Sequence, residues 1–270
     1  MTQGDNLRRR RLRFLRRRRK RNVEAAMSVV EHLRELRGRL VVSLLAFVVI
    51  SAIAFAFYPP MLRFLLRPLC SVPQDLLGPQ GCRLVITRPL GGFLFRLKMT
   101  ALAGISLSSP LWLYQLYAFI LPALTPKEKR YSIPFLLSSL TLFLIGSAFA
   151  YLTLSTGIRF LIGIGGEQIV PLLGAEEYLG FVGLMLLGFG IMFQLPLVLI
   201  FLGLAGAVSV EQLRKQRRTA VVVIFVLAAV VTPSQDPYTM SVLAGPLYLM
   251  YEVTILILAR IARAKAKQPA

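Results

Sequence analysis

Six apolar runs dominate this chain and fix most of what it can become. They lie at about 40–58, 99–121, 133–154, 178–204, 219–231 and 239–259. As helices rising about 1.5 Å per residue, the first four are long enough for a hydrocarbon core about 30 Å thick. The sixth is just long enough, and Gly245 and Pro246 are expected to bend it. The fifth spans only about 20 Å by the same helical rise. The runs lack the period-2 alternation of barrel strands, and lipid offers no partner to an open backbone, so helices are expected. No internal repeat is evident. A hydrophobic share of 56% and a mean hydropathy of +0.67 agree with a multi-span membrane protein. The expected fold is all-α, with six transmembrane helices, both ends on the inner side, and a short fifth span.

The formal charge of +20 fits nucleic acid, anionic lipid or topology signals, and its placement decides among them. With the N-terminus inside, 25 of the 32 Lys and Arg fall on the inner side. Fourteen lie in the tail to Arg39. The others are Lys127, Lys129, Arg130, Arg214, Lys215, Arg217, Arg218, Arg260, Arg263, Lys265 and Lys267. Arg63, Arg67, Arg83, Arg88, Arg96, Lys98 and Arg159 remain outside. The positive-inside rule then places both termini in the cytoplasm. Most of the charge is topological, which argues against a nucleic-acid partner. The tract RRRRLRFLRRRRKR at 8–21 is more basic than topology needs. It is expected as a disordered arm on anionic headgroups, at about 1 kcal/mol per basic residue near the surface. No short apolar core or cleavage site follows it, so the first span is expected to be retained. The organisation expected is a basic tail over 1–27, a membrane domain over 28–259, and a basic tail over 260–270.

Both cysteines, Cys70 and Cys82, fall in the first outer loop, twelve residues apart. With no histidine near and an oxidising exterior, a disulfide is expected rather than a metal site or two free thiols. His32 is the only histidine, so a His-dependent triad or a zinc site has no ligands to draw on. No phosphate-cradling glycine motif occurs. No cofactor, metal or catalytic residue is implied. Polar groups within the runs are few: Gln115, Gln194 and Glu252. Glu252 reads either as a coupling group or as a structural carboxylate near the inner interface.

Five segments in order carry a resemblance. They are HLRELRGRL at 32–40, SSPLWLYQLYAFILPALTPKEKR at 108–130, GFGIMFQLPLVL at 188–199, LRKQRR at 213–218 and TPSQDPYTM at 232–240. Together with six spans they resemble the TatC family, the multi-spanning receptor subunits of the twin-arginine protein translocase. The resemblance implies binding of twin-arginine signal peptides at the cytoplasmic face of a bacterial inner membrane. It also implies assembly with the single-span subunits TatA and TatB, oligomerisation in the full complex, and export of folded proteins on the proton-motive force. By motif, Glu35 and Arg37 fall in the first cytoplasmic segment, Glu128 in the second, and Phe119 at the inner end of the second span. Pro68 matches a loop proline and Asp236 an outer-loop acid. Two positions depart from the family pattern: Gln194 stands where Glu is frequent, and Met240 where Gln is frequent.

Alone, Glu35 reads as half of an i,i+4 pair with Arg39, worth about 0.3–0.5 kcal/mol. Glu128 reads as a solvated acid among Lys127, Lys129 and Arg130. The resemblance turns them into a site. Two adjacent arginines present two planar forks, and each can take a carboxylate bidentately. Phe119 would then meet the apolar part of the signal. The alternatives are a small-solute secondary transporter and an intramembrane enzyme. The first should show repeats and facing charges on broken helices. The second needs a Ser/His or paired-Asp arrangement within spans, which this sequence lacks.

Overall fold

The computed structural model describes residues 29–79, 81–120, 132–166, 171–232 and 236–266. Among these described residues eleven helices follow in order: α1 (Val29–Ala56), α2 (Tyr58–Cys70), α3 (Gln74–Leu77), α4 (Gly91–Leu107), α5 (Ser109–Ile120), α6 (Ser132–Ile164), α7 (Ala175–Met192), α8 (Leu195–Leu204), α9 (Val210–Lys215), α10 (Arg217–Val231) and α11 (Pro237–Ala266). Among the described residues there is no strand, only an isolated bridge between Val85 and Gly174. Among the described residues, four stretches are long and apolar enough to cross a membrane: Glu31–Ala56, Ile133–Ile164, Ala175–Leu204 and Pro237–Arg263.

The helices depart from the apolar runs in instructive places. Helix α1 begins well before its run, so the polar segment at 31–39 is helical and continuous with it. The second run is also entered early, at Gly91, and is then split at Ser108. Pro110 explains the split, because it lacks an N–H and disfavours helix in the residue before it. The carbonyl of Ile105 at the break accepts from the Trp112 indole at 3.0 Å and the Ser108 hydroxyl at 3.3 Å. Pro196 accompanies a similar break between α7 and α8 at Phe193 and Gln194. Helix α10 has 15 residues, about 22 Å by the helical rise. Pro246 lies within α11 without ending it.

Helices α6 and α7 form the centre of the packing. Phe143, Phe189, Phe193, Met185, Leu154 and Val182 are fully buried around their interface. Two glycines permit the approach. A Cβ on Gly146 would lie 2.7 Å from the Phe189 carbonyl oxygen, and one on Gly190 would lie 2.7 Å from the Phe143 ring. Helix α1 packs instead on α4 and α5. Its closest approach is at Gly104, where the Ser51 side chain leaves no room for a Cβ.

One end of the bundle is capped. Cys70 and Cys82 are joined by a disulfide, with Cα atoms 4.9 Å apart. Pro68 sits inside α2 and cannot donate to the Phe64 carbonyl one turn back. The Tyr151 hydroxyl of α6 donates to that carbonyl at 2.9 Å, and Tyr178 of α7 donates to the next one, Leu65, at 2.7 Å. The Val85 backbone pairs with Leu173 and Ala175, each at 2.9 Å. Lys98 and Glu176 tie α4 to α7 at 3.4 Å. Arg96 lies 4.0 Å over the Phe55 ring and donates to the Phe55 carbonyl at the end of α1, at 2.9 Å. Its charge thus meets the negative end of that helix.

Candidate functional site

The opposite end brings the start of α1 against the end of α5. On α1, His32, Glu35 and Arg39 are half-buried, while Leu33, Arg34, Leu36 and Arg37 are exposed. Spacings of three and four residues put the half-buried three on one face. That face meets α5. The His32 ring stacks on Phe119 with centroids 4.2 Å apart. Gln115, half-buried one turn earlier on α5, shares the Phe119 face.

The Glu35 carboxylate accepts from the Arg39 guanidinium through one oxygen. Its other oxygen, Oε2, is buried without a hydrogen-bond partner, and so is Arg39 Nε. A buried polar atom left unmatched costs about 1–3 kcal/mol. A donor fork reaching Oε2 would recover that. Arg37 is two residues from Glu35, about 200° around the helix, and is exposed. The structure therefore does not bring Arg37 to the Glu35 face. Glu128 lies outside the described residues.

The remaining sequence-derived positions lie elsewhere in the bundle. Pro68, Cys70 and Cys82 belong to the capped end. Asp236 caps α11 there: its carboxylate accepts from the Thr239 backbone at 2.8 Å and from the Thr239 hydroxyl. Met240, one residue on, packs half-buried against the core. Gln194 is locked to Ser139 of α6. The Ser139 hydroxyl donates to its amide oxygen at 2.6 Å, and its amide nitrogen donates to the Ser139 carbonyl at 3.0 Å. Glu252 of α11 accepts from Arg217 of α10 at 2.7 Å and from Tyr248 at 3.1 Å. Among the described residues no cluster of His, Cys, Asp or Glu is able to hold a metal ion.

Sequence reasoning missed His32 as a partner of Phe119 and treated Arg39 only as an ion-pair partner. The signal was present: His32, Glu35 and Arg39 follow a helical stripe, and the polar start of α1 is continuous with its apolar run.

Known proteins resemble this chain in sequence and in fold. The profile of the Sec-independent protein translocase protein (TatC) family matches residues 31–246. The chain is 46% identical over 247 residues to the Sec-independent protein translocase protein TatC of Frankia casuarinae, covering 89% of this chain and 68% of that relative. It is 38% identical over 245 residues to the protein of that name from Aquifex aeolicus, covering 90% and 98%. A crystal structure of a twin-arginine translocase receptor, TatC, superposes with a TM-score of 0.72 at 37% identity, covering 86% of this chain and all of that one. The chain belongs to the TatC family and is an integral membrane subunit of the twin-arginine, Sec-independent protein translocase.

Proposed function

We propose that this chain receives twin-arginine signal peptides where α1 begins and α5 ends, and that this end faces the cytoplasm. The single observation that carries the reading is the buried, unpartnered Oε2 of Glu35 beside the His32–Phe119 stack. An arginine fork fits that oxygen; Glu128 takes the second arginine of the pair. Arg39 holds the other oxygen of Glu35, so the incoming arginine shares the carboxylate with a resident cation or displaces it. A lysine pair is a poor substitute, because a point charge cannot meet a carboxylate through two parallel bonds. Phe119 offers an aromatic surface to the apolar part of the signal.

Topology supports the same orientation. Six crossings with both termini cytoplasmic place 25 of 32 Lys and Arg on that side. The chain then works in the bacterial cytoplasmic membrane with TatA- and TatB-type single-span partners, exporting folded cargo on the proton-motive force. Reporter fusions after Lys129 and Arg217 should read cytoplasmic, and fusions near Gln80 and Gly166 external.

The deciding experiment is peptide binding by the purified full chain. Glu35→Gln and Glu128→Gln should each weaken an Arg-Arg signal about tenfold or more, as expected for a charge-assisted hydrogen bond of about 1.5–3 kcal/mol. The bundle should melt unchanged. The reading fails if the double variant binds that signal as tightly as the parent and still prefers it to a Lys-Lys signal.

A further inference from the structure

The Glu35 end of α1 has a source of arginine pairs in its own chain. Ahead of Val29, where α1 begins, the tract at 8–21 holds ten arginines and one lysine, with Leu12, Phe14 and Leu15 as its only other residues. Arg10 and Arg11 are adjacent, and Phe14 and Leu15 begin three residues after Arg11. The order is two guanidinium groups, then an aromatic and an aliphatic side chain. On α1, Glu35 and His32, which stacks on Phe119, are three residues apart, about 4.5 Å along the helix axis. Three residues of chain reach about 10 Å at most. One stretch of the tract can therefore set an arginine on Glu35 and Phe14 against the His32–Phe119 stack.

The acceptor and the reach both suit such a contact. Glu35 Oε2 has no hydrogen-bond partner, while the side chain as a whole keeps 26% exposure, so it is approached from the surface. By contrast, both carboxylate oxygens of Glu252 already accept hydrogen bonds, from Arg217 and Tyr248. Arg11 lies eighteen residues before Val29, a contour of up to about 60 Å. Glu35 lies six residues into α1, about 9 Å along it. The tract therefore reaches Glu35 with slack. A short tether presents its end at about millimolar concentration. Arg34 and Arg37, exposed beside Glu35, oppose any arriving cation, tail or signal alike. Proximity rather than long-range charge is what favours the tail.

We infer that residues 8–15 of this chain occupy the Glu35 site when no signal does, so that a signal peptide must displace them. An arginine of the Arg10–Arg11 pair takes the Glu35 carboxylate, and Phe14 lies against the His32–Phe119 stack. The inference rests on the signal site proposed above and adds its regulation. At about 1 mM local concentration, a tail contact with a Kd of about 0.1 mM raises the apparent Kd of a signal peptide about tenfold, because only the unoccupied fraction binds it. Such a self-ligand also discriminates against weakly bound basic peptides, which cannot displace it. The contact uses one arginine pair and leaves the rest of the tract to anionic headgroups, so contact with lipid and contact with Glu35 do not exclude each other.

The test measures the Kd of a labelled Arg-Arg signal peptide for the purified full chain in phosphatidylcholine nanodiscs, where no anionic lipid competes for the tail. Deleting Thr2–Arg21 should tighten binding about tenfold. Changing all ten arginines of the tract to lysine keeps the charge but loses the forks, and should recover most of that gain. In a Glu35→Gln background the deletion should change the Kd by less than about twofold, since the two contacts are one. The inference is overturned if deletion leaves the Kd unchanged or weakens binding. It is equally overturned if the lysine tract behaves as the parent tract, the result of bulk charge repulsion alone, or if deletion works as well in Glu35→Gln as in the parent. The signal site is judged separately, in the tail-deleted chain, where Glu35→Gln should weaken the peptide about tenfold. If it does not, the site itself falls. If it does while deletion leaves the parent unchanged, the site stands and only the tail contact falls.

Discussion

Helix α1 and the α7–α8 pair are both apolar enough to cross a membrane, yet they are used differently. Only 6% of the most apolar stretch of α1 is buried, against 28% for Ala175–Leu204. In lipid there is no hydrophobic force between helices, so association depends on close packing at small residues and on shared hydrogen bonds. Helix α7 has both. Gly190 meets Phe143 and Ser147, Gly146 of α6 meets Phe189, and Ser147 donates to the Leu186 carbonyl at 3.1 Å. Helix α1 has one small-residue approach, at Gly104 and Ser51, and one shared hydrogen bond at its end, from Arg96 to the Phe55 carbonyl, and it leaves Leu40, Leu44, Leu45 and Val48 exposed. The difference separates a scaffold from a helix held out on it. The carboxylate proposed to read the signal stands on the helix held out.

The largest effect should come from the scaffold. In Gly146→Leu the new side chain meets a backbone oxygen, which cannot swing aside as a side chain can. Overpacking of this kind costs about 1–3 kcal/mol, and more where the backbone must move. Unfolding in detergent should show a loss near about 3 kcal/mol or failure to fold. Parent-like stability would mean that the α6–α7 contact is not the centre of the fold. Breaking the Cys70–Cys82 bond with Cys70→Ser/Cys82→Ser should cost slightly less, about 2–3 kcal/mol by the chain-entropy estimate for a loop of this size. Arg-Arg peptide binding at the far end should persist.

A smaller effect sharpens the role of Pro68. Tyr151→Phe removes the donor to the Phe64 carbonyl and should cost about 1 kcal/mol. In a Pro68→Ala background the helix regains an N–H for that carbonyl, so the same change should cost much less. A double-mutant cycle by thermal unfolding checks this: additive costs would mean that Tyr151 does not stand in for the missing helix bond.

What the sequence told and hid follows the same division. The apolar runs were legible because burial in lipid demands length and composition, which are local. Boundaries were not. Residues 91–98 carry charge and read as loop, yet they are helix, because helices extend past the apolar span and set their charges at its ends. Pro110 and Pro196 signalled breaks, but a hydropathy window runs through a proline without feeling its missing N–H. The Glu35–Arg39 pair was legible from its spacing. Its neighbour Phe119 was placed only by resemblance, and the stack with His32 was invisible, because it depends on where α5 lands against α1. Gln194 looked like a lost titrating group. Its lock onto Ser139, 55 residues away in sequence, gives it a packing role that a helical period cannot reveal.

The smallest effect completes the comparison from the side of α1. Leu44 is 55% exposed and Val48 52% exposed on that helix, one turn apart on one face. Both are exposed in the isolated chain, so Leu44→Ala/Val48→Ala removes few protein contacts. Cavity formation, which makes core truncations cost about 2–5 kcal/mol, does not arise there. Stability in detergent should change by no more than about 0.5 kcal/mol, the usual range for surface positions. The same double truncation inside α7, at Val182 and Met185, removes fully buried side chains and should cost several times more. If the α1 pair proves as costly as the α7 pair, that face of α1 is packed against protein in the isolated chain, and the division between scaffold and held-out helix is wrong. If it is silent in the isolated chain but lowers recovery of the assembled translocase, the exposed face of α1 is a subunit contact, and the helix that carries Glu35 is positioned by a partner as well as by α4 and α5.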